Sequence, residues 1–301
     1  LSPPLDRSRV VFGCGNFGGL GSSPTLRDKG DDRTRAFALL DHAREIGLTR
    51  FDTANTYGGG LSETILGEWL TGQGPAYRQT VEVATKVGNP HGCPPADRPL
   101  SAAQIAHHLD ASLGRLRIER IDLYYIHEFE DGTPLDESLE ALDRALAHGT
   151  IAKFGVSNAS AAQLGAVLTL APARLRAAFT TVQNGFNLLE TRDRADVIPL
   201  CQAEGLDYVA FSPLAGGLLT GKYHRGAAAL EGRMNDAPGF FEALLTDETF
   251  ALIDDLRIRA SETGATVASL ALRDLLDIPG VAALIIAPRS SEQFDAYGLR
   301  P

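Results

Sequence analysis

Short apolar runs alternate with longer amphipathic stretches along almost the whole chain. The runs at 10–12, 48–52, 81–86, 121–127, 151–157, 179–183, 207–212 and 281–287 are rich in Val, Ile, Leu and aromatic residues. Continuous apolar runs of that length between turn signals read as buried strands. Between them, apolar positions recur every three or four residues over 33–46, 62–70, 101–117, 134–148, 160–170, 193–204, 247–263 and 266–276, which predicts helices. Ser101 with Gln104 three positions on predicts an N-cap and a capping box. Gly47, Gly149 and Gly205 stand where helices should end. Strands separated by helices are expected to lie parallel, because a parallel neighbour is reached only by a crossover. Eight such units in 301 residues predict a closed (β/α)8 TIM barrel, one domain spanning 1–301, rather than an open sheet. The Gly- and Ala-rich stretch 213–246 is the long exception, and an irregular segment of that length in a compact domain is expected to be functional.

Three of the apolar runs stop at a titratable side chain. Asp52 closes LTRFD, Lys86 closes VEVATK and His127 closes IDLYYIH, while Tyr57 follows Asp52 by five residues. In a barrel of parallel strands the C-terminal ends share one rim, and chemistry sits there. The four residue types also form a working set. A phenol is a poor proton donor at neutral pH, with an ordinary pKa of about 10. A neighbouring ammonium lowers that value by stabilising phenolate. On this reading Asp52 holds Lys86, Lys86 tunes Tyr57, and His127 places a carbonyl oxygen. A tuned phenol facing a developing alkoxide points to carbonyl reduction with hydride supplied by a cofactor, the proton transfer contributing roughly 10²–10⁴ in rate. No metal is required, and no His, Cys and carboxylate set has metal-ligand spacing.

Composition narrows the alternatives. A net charge of −10 with scattered Lys and Arg leaves no basic stripe for nucleic acid. Three cysteines, Cys14, Cys93 and Cys201, are an odd number without metal spacing, which suits a reducing, cytoplasmic setting. No run approaches a membrane span, and the first ten residues lack the apolar stretch of a signal peptide. Of 28 basic residues only Lys29, Lys86, Lys153 and Lys222 are lysine. The bland reading is codon bias, but each lysine is a candidate for a role that a guanidinium does not fill.

Two nucleotide motifs are present and neither fits its usual reading. Gly13–Gly18 matches GxGxxG after a strand, yet Gly19-Leu20-Gly21-Ser22-Ser23-Pro24 follows where a Rossmann helix must start. Gly216–Lys222 matches GxxxxGK, but Tyr223 replaces the Ser or Thr that coordinates magnesium in a P-loop. A glycine-rich run with one lysine after the strand 207–212 remains a plausible anion cradle.

Taken together, Phe51-Asp52-Thr53-Ala54-Asn55-Thr56-Tyr57-Gly58, Ala84-Thr85-Lys86, Ile126-His127, Gly155-Val156-Ser157-Asn158 and Ser212-Pro213-Leu214 resemble the aldo-keto reductases over nearly the whole chain. The resemblance implies a TIM barrel that reduces aldehydes and ketones with NAD(P)H, with Asp52, Tyr57, Lys86 and His127 as the catalytic tetrad and Tyr57 as general acid. It places Ser157, Asn158 and Gln183 at the nicotinamide carboxamide and Phe211 against the nicotinamide ring. Ser212, Pro213, Leu214, Gly216 and Lys222 fall along the pyrophosphate. Arg289 and Ser290, with Gln293 one turn beyond, fall at the adenosine 2′-phosphate, which implies NADPH, because a guanidinium fork suits a phosphate. Three departures stand out. Ala287-Pro288 replaces a frequent Gly, Tyr297 replaces an adenine-contacting Asn, and the chain ends early at Pro301. A more open substrate pocket follows, walled by the 16–25 loop, Trp69 or its neighbours, and 223–246, although Trp69 on its helix reads first as core. The partner expected is a small-molecule carbonyl compound. The same resemblance admits a non-catalytic, NADPH-sensing accessory subunit of the potassium-channel beta type, which the complete tetrad disfavours.

Overall fold

The expected alternation closes on itself. The computed structural model describes residues 4–27, 29–91, 97–225, 232–236 and 242–300. Its strands are β1 (Val10–Gly13), β2 (Arg50–Asp52), β3 (Glu82–Val87), β4 (Ile121–Ile126), β5 (Ile151–Ser157), β6 (Phe179–Gly185), β7 (Asp207–Phe211) and β8 (Val281–Ile286). All pair in parallel in sequence order, and β8 returns to β1, giving a (β/α)8 TIM barrel. The first four crossovers carry α1 (Arg33–Glu45), α2 (Leu61–Gln73) with α3 (Pro75–Arg78), α4 (Ala102–Leu116) and α5 (Leu135–His148). The next carry α6 (Ala161–Leu170) with α7 (Ala173–Ala178), then α8 (Val197–Glu204). After β7 come α9 (Arg233–Asp236), α10 (Asp247–Thr263) and α11 (Val267–Leu276), and α12 (Ser291–Ala296) follows β8.

The strands read as continuous apolar runs because both faces are covered. Phe12, Phe51, Val83, Tyr124, Phe154, Val182 and Tyr208 point outward into the layer shared with the helices. Val11, Val209, Ala283 and Ile285, and separately Ala84, Leu123 and Tyr125, fill the inside. With a side-chain period of two, this parity sends Asp52, Lys86, Ser157, Gln183 and Phe211 to the inner face. Gly155 is inward too, and a Cβ there would lie 2.5 Å from the Tyr125 ring. At the opposite mouth Glu82 accepts Arg50 at 3.3 Å and Lys153 at 2.7 Å, so Lys153 belongs to an ionic layer at the base of the barrel.

Several local expectations are corrected. Ser101 occupies the N-cap of α4 but its side chain caps nothing, and Gln104 Oε1 is buried without a partner. Glu137, at the start of α5, accepts the Ala102 N–H at 3.0 Å instead, so a carboxylate from a neighbouring helix displaces the local box. The reciprocal box forms at Ser160 and Gln163. The helix expected from 193 begins at Val197 behind an Asp196 cap. Gly149 and Gly205 end their helices in the left-handed region, and Gly47 follows α1 likewise. Trp69 is core, packed between Phe51 and Tyr77 with its indole N–H on Asp41 at 2.7 Å. The 213–246 stretch holds a 3₁₀ turn at Ala215–Thr220, α9 and a turn at 242–244; of its expected pocket wall, 226–231 and 237–241 lie outside the described residues. Cys14 and Cys201 are buried free thiols, and Cys93 lies outside the described residues. Among the described residues, no helix is long and apolar enough to cross a membrane and no group of ligating side chains forms a metal site.

Candidate active site

Parity and chain reversal assemble the four titratable residues at one end of the barrel. Tyr57 opens a 3₁₀ turn, Tyr57–Gly60, whose three glycines all have positive φ. At Gly58 a Cβ would lie 2.6 Å from the Phe17 carbonyl oxygen, so only glycine lets the turn pass under the post-β1 loop. The Lys86 Nζ donates to Asp52 Oδ1 at 2.5 Å, to the Thr53 carbonyl at 2.8 Å and to Tyr57 Oη at 3.3 Å. Those three acceptors match the three protons of an ammonium. Asp52 Oδ2 accepts Gln183 Nε2 at 2.8 Å. The His127 ring stands edge-on to Tyr57 with centroids 5.6 Å apart, and its Nδ1 is buried without a partner.

Electrostatics sort these groups by protonation state. Burial pulls the Lys86 ammonium down, but Asp52 and then Tyr57 more than offset it, so its pKa is raised and the lysine stays charged. Burial, helped by Lys86, drives His127 well below its ordinary value, which leaves a neutral imidazole. Tyr57 departs from the sequence expectation. Burial raises its pKa by more than Lys86 lowers it, because desolvation penalises phenolate on every side while the ammonium acts on one. The phenol is therefore firmly protonated at neutral pH, with Lys86 limiting the rise.

A cavity of about 1310 Å³ runs from Tyr57 and His127 along the rim to Arg289 and Tyr297. Asp52 and nearly all the residues expected at the cofactor line it; Lys86 lies beneath it, fully buried, and Ser290 faces a separate small cleft beside α1. Ser157 ends β5, and Asn158 bonds the His127 carbonyl at 2.9 Å with φ +53°. Gln183 is turned toward Asp52. The Phe211 ring lies over Gly185, where a Cβ would come within 3.2 Å of it. After β7, Ser212 and Ala215 adopt φ of +54° and +47°, and Gly216 and Gly217 continue at +64° and +101°. Two of the four non-glycine residues with positive φ among those described, Asn158 and Ser212, line this groove, and strained backbone of that kind clusters at functional sites. The backbone bends around Lys222, whose ammonium lies 4.9 Å from the Tyr223 ring centroid. At the far end Gln293 accepts the Arg289 N–H at 2.7 Å, and Ser290 caps α12.

Sequence reasoning missed two residues here. Arg233 donates to Asn16 Oδ1 at 2.8 Å, bridging the groove from α9 to the post-β1 loop. Asp31, with a fully buried side chain, holds Arg289 through Nε and Nη2 at 3.1 and 3.0 Å. Each of these two contacts spans more than two hundred positions, so no local pattern marks it. A charged residue beside a glycine-rich stretch was the available signal for Arg233.

A closed parallel (β/α)8 barrel thus carries a buried Lys–Asp pair, a protonated phenol and a neutral imidazole together on its C-terminal rim. The chain belongs to the aldo/keto reductase family, whose model matches residues 9–297. It is 35% identical to the uncharacterized oxidoreductase YrpG of Bacillus subtilis, over 95% of this chain and 85% of that protein. It is 31% identical to an L-glyceraldehyde 3-phosphate reductase of Escherichia coli K12, over 86% of this chain and 76% of the relative. It is also 31% identical to a probable voltage-gated potassium channel subunit beta of Oryza sativa subsp. japonica, over 87% of this chain and 80% of the relative.

Proposed function

We propose that this chain is an NADPH-dependent reductase of small-molecule aldehydes or ketones in the cytoplasm, with Tyr57 as general acid. One observation carries the reading: Tyr57 Oη lies 3.3 Å from an ammonium fixed by Asp52, beside a neutral His127, at the head of a groove that ends in cations. The groove fits the cofactor chemically. Its middle is a glycine-bent cradle with Lys222, suited to a pyrophosphate, and its end offers the Arg289 guanidinium for a 2′-phosphate. Phe211 offers an aromatic face between the two halves. Bound NADPH supplies the hydride.

The chain's own groups do the rest. His127, neutral, donates one N–H to the carbonyl oxygen and orients it. Tyr57 gives its proton to that oxygen as negative charge develops there. Lys86 stabilises the resulting phenolate, and Asp52 offsets the pull of burial on the Lys86 ammonium. Ser157 and Asn158, which line the groove beside His127, would hold the nicotinamide end by hydrogen bonds.

The test mixes purified protein with NADPH or NADH and a panel of aldehydes, ketones, sugars and quinones, following nicotinamide absorbance. We expect turnover with NADPH, and a loss of roughly 10²–10⁴ in kcat for Tyr57→Phe with NADPH binding retained. A fully active Tyr57→Phe protein would overturn the acid assignment. A second reading, an NADPH-sensing accessory subunit, is favoured by the similarity to the rice channel subunit. Tight NADPH binding with no turnover across the panel would select it.

A further inference from the structure

Lys86 points into the barrel, so its neighbour Thr85 points out toward the helices, where side chains are ordinarily apolar. Here that layer holds a buried polar network. Thr85 Oγ1 donates to Glu63 Oε1 at 2.5 Å, and Arg115 Nε, from α4, donates to Glu63 Oε2 at 2.7 Å. Thr85, Glu63 and Ser62 are all fully buried. Ser62 gives its one proton to the Cys14 carbonyl at 2.8 Å, so it accepts the Thr53 hydroxyl at 2.7 Å. The carbonyl of that same Thr53 receives the Lys86 ammonium. Thr64 bonds back to the Gly60 carbonyl at 3.1 Å, and the Arg115 stem lies under Gly60, 3.2 Å from where a Cβ would stand.

The first turn of α2 starts directly after the Tyr57–Gly60 turn, and it is bonded to both segments that hold Lys86. A buried ion pair seldom stabilises more than well-packed apolar side chains would. Its position between the tyrosine turn and the lysine strand gives it a geometric use. We propose that Glu63 and Ser62 are positioning residues that fix the Lys86 ammonium against Tyr57, Glu63 acting through Thr85 and Ser62 through Thr53. The kinetic part of its test rests on the reductase reading above.

The experiment compares the parent with Thr85→Val, which keeps the shape and removes the donor, and with Thr85→Ser, which keeps the hydroxyl. Thr85→Val should lower kcat by about tenfold while KM for the carbonyl stays within about twofold. The alkaline limb of its pH profile should move to higher pH, because an ammonium further from Tyr57 stabilises phenolate less. Thr85→Ser should restore both. Glu63→Gln, which turns an amide N–H₂ toward a donor, should behave as Thr85→Val; if it does not fold, Thr85→Val decides. An ultraviolet titration of the Tyr57 phenolate, taken against the matching Tyr57→Phe protein, reads the same shift without turnover. Unchanged kcat and unchanged titration in Thr85→Val would overturn the proposal. So would a loss that tracks a fall in Tm and that Ser does not rescue. A parent that reduces no carbonyl, with a titration that still shifts, would remove the reductase reading and leave the positioning role standing.

Discussion

Tyr57, Lys86 and His127 occupy three different protonation regimes within one site, and burial sets two of them. His127 is held neutral by desolvation, while on Lys86 the pull of Asp52 and then Tyr57 outweighs the same effect and raises its pKa. Tyr57 lies above its ordinary value and His127 well below its own, so neither changes charge in the neutral range. The rate of carbonyl reduction should therefore be flat from about pH 6 to pH 9 and fall only above about pH 10, as Tyr57 loses its proton. The measurement is kcat against pH under saturating cofactor and carbonyl. A decline with a midpoint near neutrality would mean that His127 titrates during turnover, which contradicts its burial. The residue types and their order were legible in the sequence. The sign of the Tyr57 shift was not, because desolvation sums over neighbours drawn from the whole chain.

At the scale of elements, strand ends were readable from local pattern while helix caps and helix partners were not. Ser101 and Gln104 have the spacing of a capping box, but Glu137 from the next helix takes the backbone N–H first. Glu63, Arg115 and Thr85 meet across two helices and a strand, and their spacing in sequence gives no sign of it. The same limit applies to His108 on α4, which is buried with Nδ1 unpartnered. Burial, with the charges of His107 and Arg115 adding to it, pushes this imidazole down to about 4. The folded pKa is depressed, so the unfolded chain binds the proton first as pH falls. Stability is complete above the unfolded value of about 6.5, is lost between about 6.5 and 4, and levels off below that. We expect denaturant unfolding of His108→Leu to show a pH dependence flatter over that window, by about 2–3 kcal/mol at its acid end. Equal slopes in parent and variant would show that His108 is protonated while folded.

For the whole molecule, the barrel brings the Tyr57–His127 end and the cation end of one groove into register, although Asp52 and Arg289 are separated by most of the chain. A ligand that spans them binds only the folded state and should raise Tm. At one hundred times its Kd, NADPH should add about 2.7 kcal/mol, a shift of several degrees. Arg289→Ala should lose most of that shift with NADPH and keep the smaller one with NADH, since only the former carries the 2′-phosphate. Thermal melts with each nucleotide check this, and equal losses for both would place Arg289 elsewhere than at that phosphate. Asp31 holds Arg289 from behind, a contact with a partner 258 positions away that no sequence pattern reveals.

The sequence by itself determined the architecture and which titratable groups meet on one rim of the barrel. Apolar runs, helical spacing and terminal glycines act over a few residues each, so their pattern specifies eight βα units, and strand parity sends Asp52 and Lys86 to the same inner rim. Tertiary structure alone decided the distances and the electrostatics. Lys86 has its three acceptors, Gln183 turns to Asp52, Tyr57 is raised rather than lowered, and α2 is bonded to both sides of the site. The physical reason is range: periodicity is a property of neighbours along the chain, whereas burial and hydrogen-bond pairing depend on neighbours in space.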